Sequence, residues 1–113
     1  MVRMTVDTQP DLAEARLLGL MLCRHDDAWQ VELDLLHHGT ALAVRFDGIA
    51  HVLLAGIPAA TADHVACAQV RSVPPAMRGD LGIGDDHVAV RFEFTSGTSL
   101  LVVCADFTCA PAT

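Results

Sequence analysis

Lysine, asparagine and tyrosine are absent from this chain of 113 residues, and each absence excludes a class of function. Without lysine there is no phosphate-binding loop of the Walker type and no Schiff-base chemistry. Without asparagine there is no acceptor for N-linked glycosylation. Aromatic residues make up only 4% of the chain, so leucine, valine, alanine and a few phenylalanines have to fill the core.

Positive charge is also scarce. Seven arginines stand against fourteen acidic residues, which gives a net charge of −7. Nucleic-acid binding needs a basic face that neutralises phosphates, so we expect no nucleic-acid partner. An acidic surface attracts basic proteins and speeds the encounter with them. The charge therefore favours a basic protein partner, and simple solubility is the plainer interpretation.

Long apolar runs are missing as well. None reaches the roughly 18 residues of a membrane-spanning helix, so we expect no membrane partner. The segment Leu17–Cys23 is apolar, but acidic residues precede it where an export signal would carry basic ones. The four cysteines include no C-x-x-C pair, the spacing typical of zinc ribbons and redox motifs. We expect a cytoplasmic protein with reduced thiols and no cofactor.

One tetrapeptide, Ala-Val-Arg-Phe, occurs twice, at 43–46 and 89–92, and an acidic residue follows each copy. Side chains two positions apart share a face of a strand. Each copy therefore places valine and phenylalanine on one face, and arginine with the acid on the other. The arginines and acids of both copies, with two acids before the second, form one predicted exposed binding face: Arg45, Asp47, Arg91, Glu93, Asp85 and Asp86.

The length and an apolar fraction of 52% predict a single domain over 1–113 with a real core. Asp11–Arg24 combines good helix formers, a preceding proline and a stripe of leucine and alanine, which predicts a helix. We therefore predict an α+β fold, in which an N-terminal helix packs on an antiparallel sheet of five to six strands. Residues 108–113 are expected to form a frayed tail.

Alternation of apolar and polar residues predicts the strands of that sheet. The clearest case is 29–35, where tryptophan, valine and leucines alternate with glutamine and acids. Residues 1–7 alternate too and predict a short first strand. The other predicted strands are 40–47, 49–57, 88–95 and 99–107.

Three segments connect or interrupt these strands. Asp47-Gly48 is a strong turn signal and predicts a hairpin. Residues 61–72 fit a capped helix or a strand, and their β-branched valines favour a strand or irregular structure. Residues 74–86 are rich in proline, glycine and aspartate, which predicts a long loop.

Two histidine–aspartate clusters nearly mirror each other, His25-Asp26-Asp27 and Asp85-Asp86-His87, each just before a predicted strand. Imidazole and carboxylate together suit zinc or iron. If the two strands begin at the same end of the sheet, these groups converge. This gives an alternative function, a metal-binding protein or metal-dependent enzyme, and solvated turns are the plainer interpretation. The ligands of the alternative are His25, Asp27, Asp86 and His87.

The steps His-Asp-Asp-Ala at 25–28 and Phe-Asp-Gly-Ile at 46–49, with the apolar run that follows, resemble a group of small β-rich bacterial proteins. Immunity proteins of polymorphic toxin systems belong to this group, whose members carry similar His-Asp-Ala and Phe-x-Gly-Val steps. The resemblance covers residues 25–57. It implies a protein-binding domain without enzymatic activity that neutralises a toxin, and a basic toxin would suit the acidic charge. A homodimer joined at an edge strand is a third interpretation.

Overall fold

The computed structural model describes residues 2–3, 12–56 and 63–111, with residues 2, 3 and 25 given by their backbone alone. Within these ranges the chain folds into an antiparallel sheet with one helix of seven residues. It is essentially all-β, and the predicted α+β class is wrong. The elements are β1 (Val2–Arg3), β2 (Arg16–His25), β3 (Ala28–His37), β4 (Thr40–Ala55), β5 (Val65–Ser72), α1 (Pro75–Leu81), β6 (Val88–Phe94) and β7 (Ser99–Pro111).

β2 stands where the sequence predicts a helix over Asp11–Arg24, so that prediction is wrong across the described residues. The strand pairs with β3 along its length, with one irregularity between Leu17 and Gly19. Because of the extra residue, Leu17 and Leu20 both pack on the core although they lie three positions apart. This spacing is also that of a helix face, so the sequence pattern imitates a helix. The helix propensities of residues other than proline differ from one another by less than about 1 kcal/mol per residue, and the pairing of β2 with β3 outweighs this preference.

The sheet curls until its outer strands meet. The strand order is β2-β3-β4-β7-β6-β5, and β1, the described part of the strand predicted over 1–7, pairs with β7. At the start of β2 the amide of Leu17 donates to the carbonyl of Asp63 at 2.9 Å. The amide of Val65 donates to the carbonyl of Ala15 at 2.8 Å. These bonds join β2 to the chain entering β5 and close one end of the curled sheet.

The core fills the inside of the curled sheet, and phenylalanines from three neighbouring strands lie at its centre. Phe46 and Phe107 stack with ring centroids 6.0 Å apart, and Phe92 meets Phe46 edge-on at 6.4 Å. All three side chains are fully buried. Each Ala-Val-Arg-Phe strand therefore turns valine and phenylalanine inward and arginine outward, as alternation predicts. The strands predicted at 29–35, 88–95 and 99–107 are confirmed as β3, β6 and β7.

β4 continues through Asp47-Gly48 without reversing direction, so the hairpin predicted there is wrong. Gly48 has a φ of +64°, and a Cβ at this position would lie 2.7 Å from the Cβ of Ala105 on β7. Glycine is required by a kink within the strand rather than by a turn. β7 is longer than expected and pairs with β4 as far as Pro111. Residues 108–111 therefore belong to the sheet and not to a frayed tail.

The predictions for the two segments that follow β4 have different outcomes. β5 confirms a strand at 65–72, and residues 61 and 62 lie outside the described ranges. α1 contradicts the loop predicted over 74–86, because Pro75 opens the helix and Gly82, with a φ of +66°, closes it. Proline in the first turn and a left-handed glycine after the last are standard helix boundaries. No helix in the described part of the chain has the length and apolar character to cross a membrane.

Candidate functional site

Carboxylates gather on the outer face of β3, β4 and β7, because the strand pairing places them in adjacent rows. In the middle row Glu32 lies opposite Arg45. Asp34 occupies the next row on β3, and on the other side Asp47 lies opposite Asp106. Four carboxylates and one guanidinium leave a formal charge of −3 on this surface. We call this surface the acidic face; it consists of Glu32, Asp34, Arg45, Asp47 and Asp106.

Arg45 is held at the centre of the acidic face by an ion pair across two strands. Its Nε lies 2.7 Å from Oε1 of Glu32. The hydrogen bond to Glu32 raises the pKa of Arg45 above its usual value, and the negative charge of Glu32 adds to this effect. Of the acids on this face, Glu32 therefore interacts most strongly with Arg45. Asp47, which the sequence places beside Arg45 on the same strand face, lies on the opposite side of the guanidinium row from Asp34.

Asp34 lies where both partial burial and a neighbouring acid disfavour its charged form. Partial burial raises the pKa of the Asp34 carboxyl, the charge of Glu32 raises it further, and Arg45 lowers it by less. A carboxyl whose pKa is raised on folding makes the folded state less stable at pH values above that pKa. A cation brought to the acidic face would relieve this cost. Asp47 and Asp106 add a second pair of like charges, on directly opposed positions of β4 and β7.

A groove of about 490 Å³ lies over part of the acidic face. Its floor contains Glu32 and Arg45, and one side is formed by Met21 and Cys23 of β2. Met21 is half-exposed, so the groove has an apolar wall beside a charged floor. Lysine and arginine combine an apolar stem with a cationic end. The groove can therefore take the stem against Met21 and the cation among the carboxylates.

The second Ala-Val-Arg-Phe copy lies on a different surface, so the structure does not assemble the predicted single face. Arg91 pairs with Glu93 of its own strand at 3.1 Å. Arg45 lies opposite Thr108 of β7 and Arg91 opposite Leu101, seven residues away along that strand. Seven residues span about 23 Å in an extended strand, and β4 and β6 flank β7 on opposite sides. The two arginines therefore belong to separate sites.

The histidine–aspartate clusters do not converge in the described part of the chain. Asp27 pairs with Arg24 at 3.1 Å in the β2–β3 turn. Asp86 contacts His87 instead, with Oδ1 and Nδ1 2.9 Å apart, and this contact lowers the pKa of the Asp86 carboxyl. β4 and β7 separate β3 from β6 in the sheet. Among the described side chains, which do not include that of His25, no group of three or more potential ligands could hold a metal ion.

Asp85 and Asp86 also stand apart from the acidic face. Both are exposed in the turn that precedes β6. They flank the strand that carries Arg91 and not the strand that carries Arg45. Of the six residues in the predicted binding face, only Arg45 and Asp47 belong to the acidic face. Its other three members were not predicted from the sequence: Glu32, Asp34 and Asp106.

The three acids that were not predicted differ in how far the sequence indicates their position. Glu32 and Asp34 alternate with buried Val31, Leu33 and Leu35, so their outward direction follows from period two. What sequence does not reveal is that β3 pairs with the first Ala-Val-Arg-Phe strand in this register. Asp106 carried no local signal, because its place opposite Asp47 depends on pairing between positions far apart in the chain.

A separate polar cluster around Asp63 holds the closed end of the sheet. Asp63 is 1% exposed. Its carboxylate accepts hydrogen bonds from the hydroxyl of Ser96 at 2.6 Å, the hydroxyl of Thr95 at 3.1 Å and the amides of Ser96 and His64 at 3.1 Å. Its role is structural, since it ties the β6–β7 turn to the chain entering β5.

Two of the cysteines are unsuited to nucleophilic chemistry because their thiols are buried. Cys104 and Cys109 are buried, and burial raises the pKa of both thiols, that of Cys104 to about 12. The reactive form of cysteine is the thiolate. Both residues therefore act as small apolar side chains of the core.

No family model matches this chain, and no curated protein matches it in sequence. A function for the chain therefore has to be inferred from the geometry of the acidic face and from the composition.

Proposed function

We propose that this chain is a small bacterial protein-binding domain without enzymatic activity, whose acidic face binds a basic surface of a partner protein. The observation that carries the proposal is the crowding of four carboxylates around a single arginine on β3, β4 and β7. Like charges so close together repel one another, and the charge of Glu32 adds to the partial burial that raises the pKa of the Asp34 carboxyl. Cations of a partner would remove that repulsion, and complementary charge also speeds association.

The groove beside Met21 adds selectivity to this attraction. A simple negative surface attracts any cation, whereas an apolar wall next to acids favours long cationic side chains. Arginine is favoured over lysine here, because its planar fork can bond two carboxylate oxygens at once. We therefore propose that a partner inserts a lysine or arginine between Met21 and Glu32.

A toxin that acts on nucleic acid is the partner class we propose, since such an enzyme needs a basic surface to hold phosphates. Covering that surface with an acidic domain would block it, which is how the immunity proteins that this sequence resembles act. A cytoplasmic location belongs to the same proposal. All four cysteines are free, as thiols are in a reducing compartment.

Charge reversal on the acidic face tests the proposal. Asp34→Lys with Asp47→Lys changes the net charge from −7 to −3 and leaves the Arg45–Glu32 pair in place. Room for the longer side chain exists at Asp34, because its neighbour on β2 is Gly19. We expect the double variant to lose the basic proteins that the wild type retains from a cell lysate, as identified by mass spectrometry. A toxin among them should no longer be neutralised by this variant in co-expression.

A matched control separates the acidic face from overall charge. Asp80→Lys with Glu93→Lys also changes the net charge from −7 to −3, but both residues lie off the acidic face. This control should retain the same proteins as the wild type. If both double variants lose them equally, net charge alone explains binding. If neither does, the acidic face is not the binding surface.

A further inference from the structure

One edge of β4 lacks a neighbouring strand over its second half, within the described residues. β4 has 16 residues, and β3 pairs with it only as far as Phe46. β7 pairs with its opposite edge as far as Ala55. The backbone groups that residues 51–55 direct toward the β3 side therefore meet no described strand. An unpaired edge of this kind is a template for the addition of another strand.

β7 also extends beyond its pairing with β6, and in its case part of the remaining edge is covered. β6 pairs with β7 from Ser99 to Cys104. Beyond that point β1 takes over the same edge, pairing with Thr108 and Cys109. The described sheet thus supplies a second strand at residues 108 and 109 of β7, beyond the end of its pairing with β6. For β4 the described ranges contain no equivalent of β1.

Large apolar side chains surround the unpaired edge of β4. Leu53 is 52% exposed and Leu54 43%. At the near end, Leu22 and Trp29 line a cleft of about 240 Å³ together with residues 49–52, and both are about half in solvent. A cluster of exposed apolar side chains beside unpaired backbone indicates a surface that is covered in the working protein.

Charge indicates what covers it. Residues 49–56 contain no acidic residue and no arginine, in a chain whose net charge is −7. Exposed edges are usually protected by a charge or a proline, and this segment has neither. A basic partner would be attracted to the acidic face instead. A second copy of the chain can pair at 49–56 without placing like charges opposite each other, which is otherwise the main obstacle to self-association of so acidic a protein.

We propose that two copies of this chain form a dimer by antiparallel pairing of residues 51–55 of β4 about a two-fold axis at Leu53. Residues 51–55 pair regularly with β7, whereas an irregularity lies between Ile49 and His51. A two-fold axis perpendicular to the sheet keeps inward side chains inward. It places Leu53 opposite the partner's Leu53 and Val52 opposite the partner's Leu54. The two sheets become continuous, and the interface does not depend on the acidic face.

The molar mass in solution tests the dimer, measured by light scattering during gel filtration. We expect twice the 12.0 kDa of the chain for the wild type. Leu53→Lys would set two lysines directly opposite each other on the axis, with their Cβ atoms about 5 Å apart, so the repulsion of like charges should make this variant run as a monomer. Leu18→Lys is the matched control, because Leu18 is 43% exposed on β2, away from β4. It should remain a dimer.

Two outcomes of this experiment would overturn the proposal. One is a wild type that stays monomeric at about 1 mM, which corresponds to less than about 4 kcal/mol of association free energy. The other is a dimer that Leu18→Lys dissociates and Leu53→Lys does not, since the interface would then lie on β2.

Cross-linking tests the register without relying on a charged variant that could unfold. In Leu53→Cys the two thiols would meet on the axis, where opposed Cβ atoms lie about 4.5–5.5 Å apart, close to disulfide geometry. Mild oxidation should yield a covalent dimer faster than for Leu18→Cys or for the wild type, whose own cysteines give the background. Equal rates for the two cysteine variants would contradict pairing at Leu53.

Discussion

The two Ala-Val-Arg-Phe strands share four residues but lie on surfaces of different character. Arg45 of the first copy bonds Glu32 on the neighbouring strand, in the middle of the acidic face. Arg91 of the second copy bonds Glu93 on its own strand, and its neighbours in the sheet are Gln69 and Leu101. Inside the sheet the two copies are alike, since both valines and both phenylalanines are buried.

This difference separates what the strand's own sequence decides from what its neighbouring strands decide. Alternation along each strand decides which side chains face the core, and it acts identically in both copies. The strands on either side decide what the outward arginine meets. We expect the largest effects from changes in the shared interior, and smaller ones from changes in the features that distinguish the two copies.

The interior should be equally sensitive at both copies. Phe46→Ala and Phe92→Ala should each lower the free energy of unfolding by about 3–5 kcal/mol, because each removes a fully buried ring and leaves a cavity. Urea unfolding followed by circular dichroism measures both. A loss of less than about 1 kcal/mol for either ring would mean that its strand does not face the core, and the likeness of the two copies would fail.

The closed end of the sheet supports the second copy more directly than the first. Asp63→Ala should lower the free energy of unfolding by about 2–3 kcal/mol, since buried donors of Thr95 and Ser96 lose their acceptor. Hydrogen exchange should rise at amides of β5 and β6 more than at amides of β3. Uniform exchange across all strands would show that Asp63 stabilises the sheet as a whole.

The residues that follow the two copies differ, and this difference can be measured. Gly48→Ala should cost about 1–3 kcal/mol, because the new Cβ would meet Ala105 and the backbone has positive φ. Gly97 also has positive φ, but a Cβ added there would have open space within 4 Å, so Gly97→Ala measures the backbone effect alone. Thermal unfolding of the two variants gives the difference. Equal losses would argue against the kink in β4.

The smallest of the expected effects concerns two aspartates whose pKa values are shifted in opposite directions. The pKa of Asp34 is raised and that of Asp86 is lowered, the latter by the hydrogen bond to His87. A pH titration followed by NMR of the carboxyl carbons reads both pKa values directly. Asp34 should titrate above the usual range of aspartate and Asp86 below it.

The same shifts give opposite pH effects on stability. Charged Asp34 disfavours folding above its raised pKa, so its effect disappears as pH falls through that value. Asp86 stabilises the fold above the unfolded pKa of aspartate, and this is lost as pH falls through its lowered pKa. Asp34→Asn should therefore be slightly stabilising at pH 7, by less than about 0.5 kcal/mol after solvent screening. A destabilising Asp34→Asn would mean that the folded protein does not disfavour the charged form of Asp34.

Prediction from sequence succeeded where one residue spacing had one structural meaning. β3, β6 and the greater part of β7 follow from strict alternation. It failed at β2, where an inserted residue at Leu17–Gly19 produces a helix-like spacing in a strand. It failed again at Asp47-Gly48, since a glycine with positive φ serves a kink as well as a turn. α1 was missed because its boundaries, Pro75 and Gly82, are also loop residues.

Only part of the candidate site could be predicted from the sequence, because the sequence does not show which strands are neighbours. Arg45 and Asp47 could be assigned to an outward face from their own strand. Grouping them with Arg91 and Glu93 assumed that similar strands lie side by side, and β7 separates them. The partners that do complete the acidic face come from β3 and from the end of β7.

By itself the sequence determined the side of each strand that enters the core, the acidity of the surface and the absence of lysine chemistry, because these depend on local spacing and composition. Tertiary structure alone decided that Glu32 and Asp106 join Arg45 and Asp47, and that one edge of the second half of β4 has no neighbour among the described strands. Pairing between distant strands sets both, and the hydrogen-bonding groups of the backbone are the same in every residue except proline, so they carry no label that names their partner.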